Sequence, residues 1–262
     1  MRSEGLRVYK HLNGSTMSKL ATAVKAVFSS FGVFLARKYP DQVNGLKLED
    51  DLRQLIRQPN PLCFDVGANQ GQTIQLLQQC LLNPVIHAFE PASATFNGLA
   101  RQSFGPTVSL HQLAFGEAAG KAEFRNYEQS ELSSFLAVNP DKAENIFHGE
   151  QVASVESVTV DTLDRFCTDQ GIEKIALLKI DTQGFELPVL RGATTLLTQK
   201  RIGAILLELN FAPIYEGQSD PLVILQLLRD YDMRLVDYYE KERMTGRELS
   251  WTSALFVLPA PK

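Results

Sequence analysis

From residue 62 onward the chain repeats one pattern. A short, nearly continuous apolar run is followed by a turn, then by a longer stretch with apolar residues at helical spacing. The runs at 62–66, 84–89, 108–115, 175–181 and 202–209 predict strands. The stretches at 72–82, 92–102, 161–170, 186–197 and 221–231 predict helices, and two last strands are predicted over 233–239 and 252–259. The rhythm fails over 116–160, where strand-like pieces at 122–126 and 155–160 flank a polar loop at 139–151. Strands that are apolar on both faces need cover on both faces, and strand–helix alternation makes them mainly parallel. Such a sheet binds ligands beyond the carboxyl ends of its strands, where strand order reverses. Chemistry is therefore expected at 65–71, Glu90, 114–115, 181–186 and 208–210.

The first 58 residues follow a different pattern. Residues 1–14 form a polar tail, and 20–36 predict a helix carrying Leu20, Val24, Val27, Phe28, Phe31 and Leu35 on one stripe. That segment is short for a membrane span of ~20 residues, and Lys25 interrupts it. No small-residue cleavage site follows it. Its apolar stripe is expected to pack on the main domain or on a second copy, which would make a homodimer through the N-terminal helices. A turn-rich break over 39–45 precedes a second helix over 48–58, closed by the Pro59-Asn60-Pro61 sequence. The domain boundary is placed there: an N-terminal helical extension over 1–58 and the main domain over 59–262.

Composition narrows the function classes. A net charge of −4 and no basic cluster interleaved with aromatics give no reason to expect nucleic acid. Cys63, Cys80 and Cys167 are scattered and show no metal-ligand spacing, which reads as three buried thiols in a reducing, cytoplasmic setting.

Three groups of residues carry candidate chemistry. Gly67 and Gly71 open a tight turn between a strand and a helix, but Asn69 and Gln72 stand where a dinucleotide fingerprint wants glycine. No Walker lysine follows either, so the turn suits a ligand without a pyrophosphate. Glu90 ends the next strand, where an acid accepts hydrogen bonds from ribose hydroxyls. Together these favour an adenosine ligand. Lys179 lies in an apolar strand and needs a carboxylate partner, with Asp181 and Asp65 as candidates. Asp181 and Glu208 end neighbouring strands and are expected to converge over the cleft. The pair would orient an acceptor hydroxyl, take its proton, or hold a divalent cation; the alternative is that one of them only neutralises Lys179. His148, in the polar loop, is a further candidate base, whereas His87 and His111 read as packed imidazoles.

The segments "FDVGANQGQT", "HAFEPASATFNGL", "LAFGEAAGKAEF", "VTVDTLD" and "LLKIDTQGFELPVLRGA" together resemble the FkbM-type methyltransferase family over roughly residues 60–258. The resemblance implies a class I, Rossmann-like α/β fold with a seven-stranded, mainly parallel sheet whose last strand is antiparallel. It also implies S-adenosylmethionine as cofactor and methylation of a hydroxyl oxygen. Carried over, it makes Asp65, Gly67, Ala68, Asn69 and Gly71 the turn at the methionine end. Glu90 and Pro91 fall at the ribose, Ala114 and Phe115 at the adenine, and Asp181 beside the cofactor. Where the family motif is often written valine-glutamate, this chain has Thr182 and Gln183, so one carboxylate is lost.

The expected activity is thus S-adenosylmethionine-dependent O-methylation of a small hydroxylated molecule. The rivals are a nicotinamide-dependent oxidoreductase on a related fold and a cofactor-binding assembly protein without catalysis.

Overall fold

A computed structural model describes residues 24, 25, 27–29, 42–141, 145–244 and 246–259. The chain divides into two compact units, Met1–Pro40 and Asp41–Lys262. In the first, the five described residues are helical; most of the helix expected over 20–36, and the dimer contact expected of it, lie outside the described residues. No helix among the described residues is long and apolar enough to cross a membrane.

The second unit begins with α1 (Leu48–Leu55), followed by β1 (Leu62–Val66), α2 (Gln72–Cys80), β2 (Val85–Phe89), α3 (Ser93–Ala100) and β3 (Val108–His111). Next come β4 (Ala114–Phe115), β5 (Gly120–Tyr127), β6 (Val152–Asp161), α4 (Leu163–Asp169) and β7 (Ile175–Ile180). The remaining elements are α5 (Glu186–Arg191), α6 (Thr194–Thr198), β8 (Ile202–Asn210), α7 (Pro221–Asp230), β9 (Arg234–Glu242) and β10 (Trp251–Val257). Seven strands form one sheet in the order β3-β2-β1-β7-β8-β10-β9. The pairs β1–β2, β2–β3, β1–β7 and β7–β8 are parallel, while the last strand, β10, runs antiparallel to both β8 and β9. This is the sheet expected from the sequence. Its order reverses between β1 and β7, so the cleft opens at their carboxyl ends.

Alternating side chains of the central strands feed two cores. Phe64, Leu178, Ile205 and Leu207 pack with Phe166, Val189, Leu190 and Leu228 on one face. Cys63, Leu177, Leu206 and Leu255 pack with Ile74, Leu77 and α1 on the other. Leu48 and Leu52 of α1, with Ile56 just beyond it, are buried in this second core. Burying one such side chain contributes roughly 1.5–3 kcal/mol. Asp51 on the same helix is fully buried and accepts from the Asn44 and Gly45 amides and the Tyr239 hydroxyl. The three cysteines are free and buried, as expected.

Two expected elements divide. The run at 108–115 is two strands: β3 pairs with β2, then the chain turns at Gln112 and Leu113, and β4 pairs with Val160 and Asp161. Two successive polar residues, His111 and Gln112, are the sequence's one mark of this break, and the apolar residues on either side join into a single strand-like run across it. The helix expected over 186–197 is α5 and α6, jointed at Gly192 and Ala193. A Cβ on Gly192 would lie 2.1 Å from the Gly116 carbonyl oxygen, so the joint sits against the turn after β4. The irregular 116–160 stretch contains a long antiparallel pair, β5 with β6, in a three-stranded sheet ordered β4-β6-β5.

Candidate active site

The glycine turn is built by backbone geometry. Gly67 and Gly71 have φ of 81° and 87°, in the left-handed region where a side chain is strained. A Cβ on Gly67 would also meet the Asp181 carbonyl oxygen at 1.9 Å, so loop and strand end touch here. The Gly67 and Ala68 amides both donate to the Phe89 carbonyl, tying the loop to β2. Gly71 is the N-cap of α2 and offers no side-chain cap. The first amides of that helix therefore lack the usual partner and present donors, in the helix-dipole field, to an anion. Gln72 and Thr73 line the cavity at that point.

Glu90 is 6% exposed and held from behind. One of its oxygens accepts from the Asn69 amide and the other from the Ala92 amide, both at 3.0 Å. Burial pushes its pKa up to about 7 although these two bonds oppose the shift. Each carboxylate oxygen keeps acceptor capacity towards the cavity, which suits a diol. The Asn69 side chain accepts from the Ser130 hydroxyl at 3.0 Å, linking the turn to the loop after β5.

Beneath the turn sits a buried charge cluster. The Lys179 ammonium lies 3.1 Å from Asp65 and 3.5 Å from Asp181, and donates to the Gly67 carbonyl at 3.0 Å. Both sequence-derived candidates are therefore its partners. Burial works against the ammonium, but the two aspartates outweigh it and hold its pKa above the ordinary lysine value. Asp65 is fully buried, and burial pushes it up while Lys179 pulls it back. Its contact with Lys179 is a close ion pair without the alignment of a hydrogen bond, and neither oxygen has another donor.

Asp181 follows β7, and the register pairs Ile180 with Leu207, so Asp181 and Glu208 end adjacent strands side by side. The Gln183 side-chain amide joins them: its Nε2 donates to Asp181 at 2.6 Å and reaches Glu208 at 3.4 Å. Its oxygen accepts from the Tyr215 hydroxyl at 2.8 Å. Asn210 donates to the same Glu208 oxygen at 3.1 Å. Burial and then the nearby Asp181 push the Glu208 carboxyl well above its ordinary pKa. Behind the turn, buried Glu186 accepts from the Thr182 and Gly184 amides and the Thr182 hydroxyl, and burial pushes it up to about 7.

These groups border one cavity of about 350 Å³. Of the residues singled out by sequence, Gly67, Ala68, Asn69, Glu90, Pro91, Ala114, Phe115, Asp181 and Glu208 line it. Gly71 stands just behind the loop as the helix cap, and Asp65 lies below it on Lys179. His148 is not among the lining residues; its Nδ1 is 2.8 Å from the Asn145 carbonyl. Residues that sequence reasoning did not single out also line the cavity, among them Leu113, Phe124, Ser130, Ser133 and Phe135. Gln183, read from sequence only as a lost carboxylate, is the bridge between the two acids. The signal for the rest was faint, because Leu113 sits at the turn before β4 and the others on the irregular segment after it. Among the described residues no group of three or more His, Cys, Asp or Glu is placed to hold a metal ion. The donors at α2, the acceptor pair on Glu90 and the apolar wall of Ala114 and Phe115 fit a zwitterionic nucleoside such as S-adenosylmethionine.

Comparison with known proteins agrees with this chemistry. The model of the methyltransferase FkbM domain matches residues 65–235. The chain is 26% identical over 198 residues to the 2-O-methyltransferase NoeI of Sinorhizobium fredii, covering 72% of this chain and 80% of the relative. It is 27% identical over 165 residues to the 31-O-demethyl-FK506 methyltransferase FkbM of Streptomyces tacrolimicus, covering 51% and 60%. It is 24% identical over 195 residues to the hexuronic acid methyltransferase AglP of Haloferax volcanii, covering 72% and 71%. With its glycine turn, Glu90 and strand-end acids all inside the matched span, this chain belongs to the FkbM family of S-adenosylmethionine-dependent methyltransferases.

Proposed function

We propose that this methyltransferase acts on a hydroxyl oxygen of a small sugar-like or natural-product acceptor. The observation that carries the reading is the pair Asp181 and Glu208, side by side on the wall of the cavity that the glycine turn and Glu90 also line. The relatives' names point the same way: two specify O-methyl chemistry and the third a hexuronic acid.

When bound, S-adenosylmethionine supplies a methyl group activated on a sulfonium centre. The α2 amides would hold its carboxylate, Glu90 its ribose hydroxyls, and Ala114 and Phe115 its base. An aliphatic hydroxyl is a poor nucleophile until its proton has an acceptor. Asp181 and Glu208 sit where such a hydroxyl meets the cavity, and a carboxyl pushed up as Glu208 is makes a stronger proton acceptor than a solvated one. The walls of Leu206, Leu207 and Phe135 keep water from competing with the acceptor. Residues 59–262 would carry this chemistry, with 1–58 as an extension whose second helix docks on the sheet.

Calorimetric titration with S-adenosylmethionine and, separately, NAD tests the cofactor. A panel of hydroxylated acceptors with mass-spectrometric detection of methylated product tests the reaction. Asp181→Asn and Glu208→Gln should each keep cofactor binding and lose at least about tenfold in kcat, the lower end of the usual acid–base contribution being larger still. Normal turnover by both folded variants would remove the acid pair from the mechanism.

A further inference from the structure

The family resemblance marks position 183 as a departure, and the structure gives that departure a use. Two half-buried carboxylates at the ends of adjacent strands repel each other. Such a pair persists only with a proton, a cation or a hydrogen-bond donor between them. Here the donor is present. Gln183 Nε2 faces both acids, at 2.6 Å from Asp181 Oδ1 and 3.4 Å from Glu208 Oε1. The orientation of the amide is fixed by chemistry: the carboxylates offer acceptors, and the Tyr215 hydroxyl donates to Gln183 Oε1 at 2.8 Å. The backbone is also held. Gln183 has φ of 54°, uncommon for a residue with a side chain, and its carbonyl accepts from the Ser134 hydroxyl at 2.8 Å. A residue kept in an unfavourable conformation by several independent contacts marks a position where geometry is under demand.

We propose that Gln183 is a positioning residue that couples Asp181 and Glu208 into one acid pair, its amide occupying the place between them that a divalent cation would take. The inference rests on the reading of Asp181 and Glu208 as the groups that meet the acceptor. It goes further by giving the pair an internal partner: a neutral amide satisfies both acids, so the acceptor hydroxyl is met by protein groups alone. The other charged and polar groups around Glu208 fit that arrangement. Lys179 and Asp181 face it from the β7 strand end, Glu186 from α5, and Tyr215 and Asn210 from the segment at the end of β8. Ser253 of β10 stands opposite Glu208 in the register and donates to Glu240 of β9 at 2.9 Å. Among these, Lys179 is the cation, and it is already engaged by Asp65 and Asp181.

The test uses the full chain and two readouts that need no acceptor. Carboxyl-labelled NMR titration follows Asp181 and Glu208, and electron paramagnetic resonance follows Mn²⁺. Gln183→Leu removes the donor to both acids, and the upper titration step of the pair should move up by about one pH unit. Tyr215→Phe only frees the amide and should give a smaller shift in the same direction; it decides the matter if Gln183→Leu does not fold. Gln183→Glu places a third carboxylate beside the other two and should create a Mn²⁺ site that a further Asp181→Asn substitution removes. The wild type should show no Mn²⁺ bound at this pair. Unchanged titration in the folded variants, or wild-type Mn²⁺ binding abolished by Asp181→Asn, would overturn the proposal. Calorimetry with S-adenosylmethionine on the same samples separates the two readings: loss of cofactor binding in the wild type defeats the functional assignment, whatever the carboxyls do.

Discussion

Replacing Lys179 by methionine tests the charge cluster under the glycine turn. The side chain keeps its length and loses its charge, which leaves Asp65 fully buried without a donor on either oxygen. Removing one partner of a buried ion pair costs about 3–5 kcal/mol, because the remaining charge is stranded. The cost has a ceiling set by protonation. Burial already pushes Asp65 upward, and without the ammonium nothing opposes it. A carboxyl can escape its penalty by binding a proton, at about 1.4 kcal/mol for each pH unit above its ordinary value near 4. The penalty is thus limited to roughly 3 kcal/mol at pH 6 and can reach the full 3–5 kcal/mol at pH 8. The sign follows from linkage: a carboxyl whose folded pKa is raised binds more protons folded than unfolded, so stability falls as pH rises.

Urea and thermal unfolding of wild type and Lys179→Met at both pH values measure this. The chain has one tryptophan, Trp251 in β10, whose emission reports the sheet, and circular dichroism gives a second probe. The variant should melt about 10 °C lower at pH 8, taking 2–4 °C per kcal/mol for a domain of this size. The double substitution Asp65→Leu/Lys179→Met removes both charges and should recover most of the loss. A single variant within about 1 kcal/mol of wild type at pH 8, or a loss that does not shrink towards pH 6, would refute the view that Lys179 neutralises Asp65.

Three more outcomes follow from the same geometry. With Glu90 pushed up to about 7 by burial, the carboxylate that the proposed ribose contact requires forms as pH rises through neutrality; calorimetry should show S-adenosylmethionine affinity falling below pH 7, and Glu90→Gln should flatten that dependence while weakening binding. Gly67→Ala places a Cβ 1.9 Å from a backbone oxygen at φ of 81°, so it should abolish cofactor binding in the same titration even where circular dichroism shows a folded protein. Gly71→Ala meets the Phe104 ring edge at 2.6 Å at a comparable φ; because that ring belongs to a half-buried side chain that can give way, the loss read by thermal unfolding should stay near 1–2 kcal/mol, with cofactor affinity partly kept.

The sheet was legible because its central strands are covered on both faces and must be apolar throughout. Runs such as 175–181 and 202–209 have no other use in a chain with helices between them. α7 begins where the pattern puts it, at Pro221, and Asp220 caps it by accepting from the Leu222 amide at 2.8 Å. Pattern fails where the chain turns within one or two residues. The break at Gln112 and Leu113 is marked only by the polar pair His111-Gln112 between apolar residues, and the joint at Gly192 shows in space through its contact with Gly116. The β5–β6 pair was half hidden for the opposite reason: most of β6 is exposed, so no apolar alternation marks it. Within the site, backbone roles were readable from glycine and strand-end acids. Side-chain roles with partners far along the chain were readable only where the partners end strands expected to be neighbours, as Lys179 and Asp65 do. Gln183 meets Tyr215 and Glu208 across 32 and 25 residues, and Glu90 meets Asn69 across 21.

Several residues of the site are held by the fold against local preference. Asn69 and Gln183 have positive φ on either side of the cleft. Asp65, Glu90, Lys179 and Glu186 are buried polar groups in a region where apolar side chains would pack with less penalty. A sequence selected for stability alone would not keep them, since a buried pair is often matched or bettered by apolar replacements. They gather around the carboxyl ends of β1, β2 and β7, where the proposed function would use them to fix donors and acceptors before a ligand arrives. Preorganised groups need no rearrangement as the reacting oxygen develops charge, and their effect is strongest where water is excluded. The Asp65→Leu/Lys179→Met protein separates the two demands. If the charge cluster serves the site, that variant should approach wild-type stability and still bind S-adenosylmethionine more weakly, because the Gly67 carbonyl has lost the ammonium that anchors the turn.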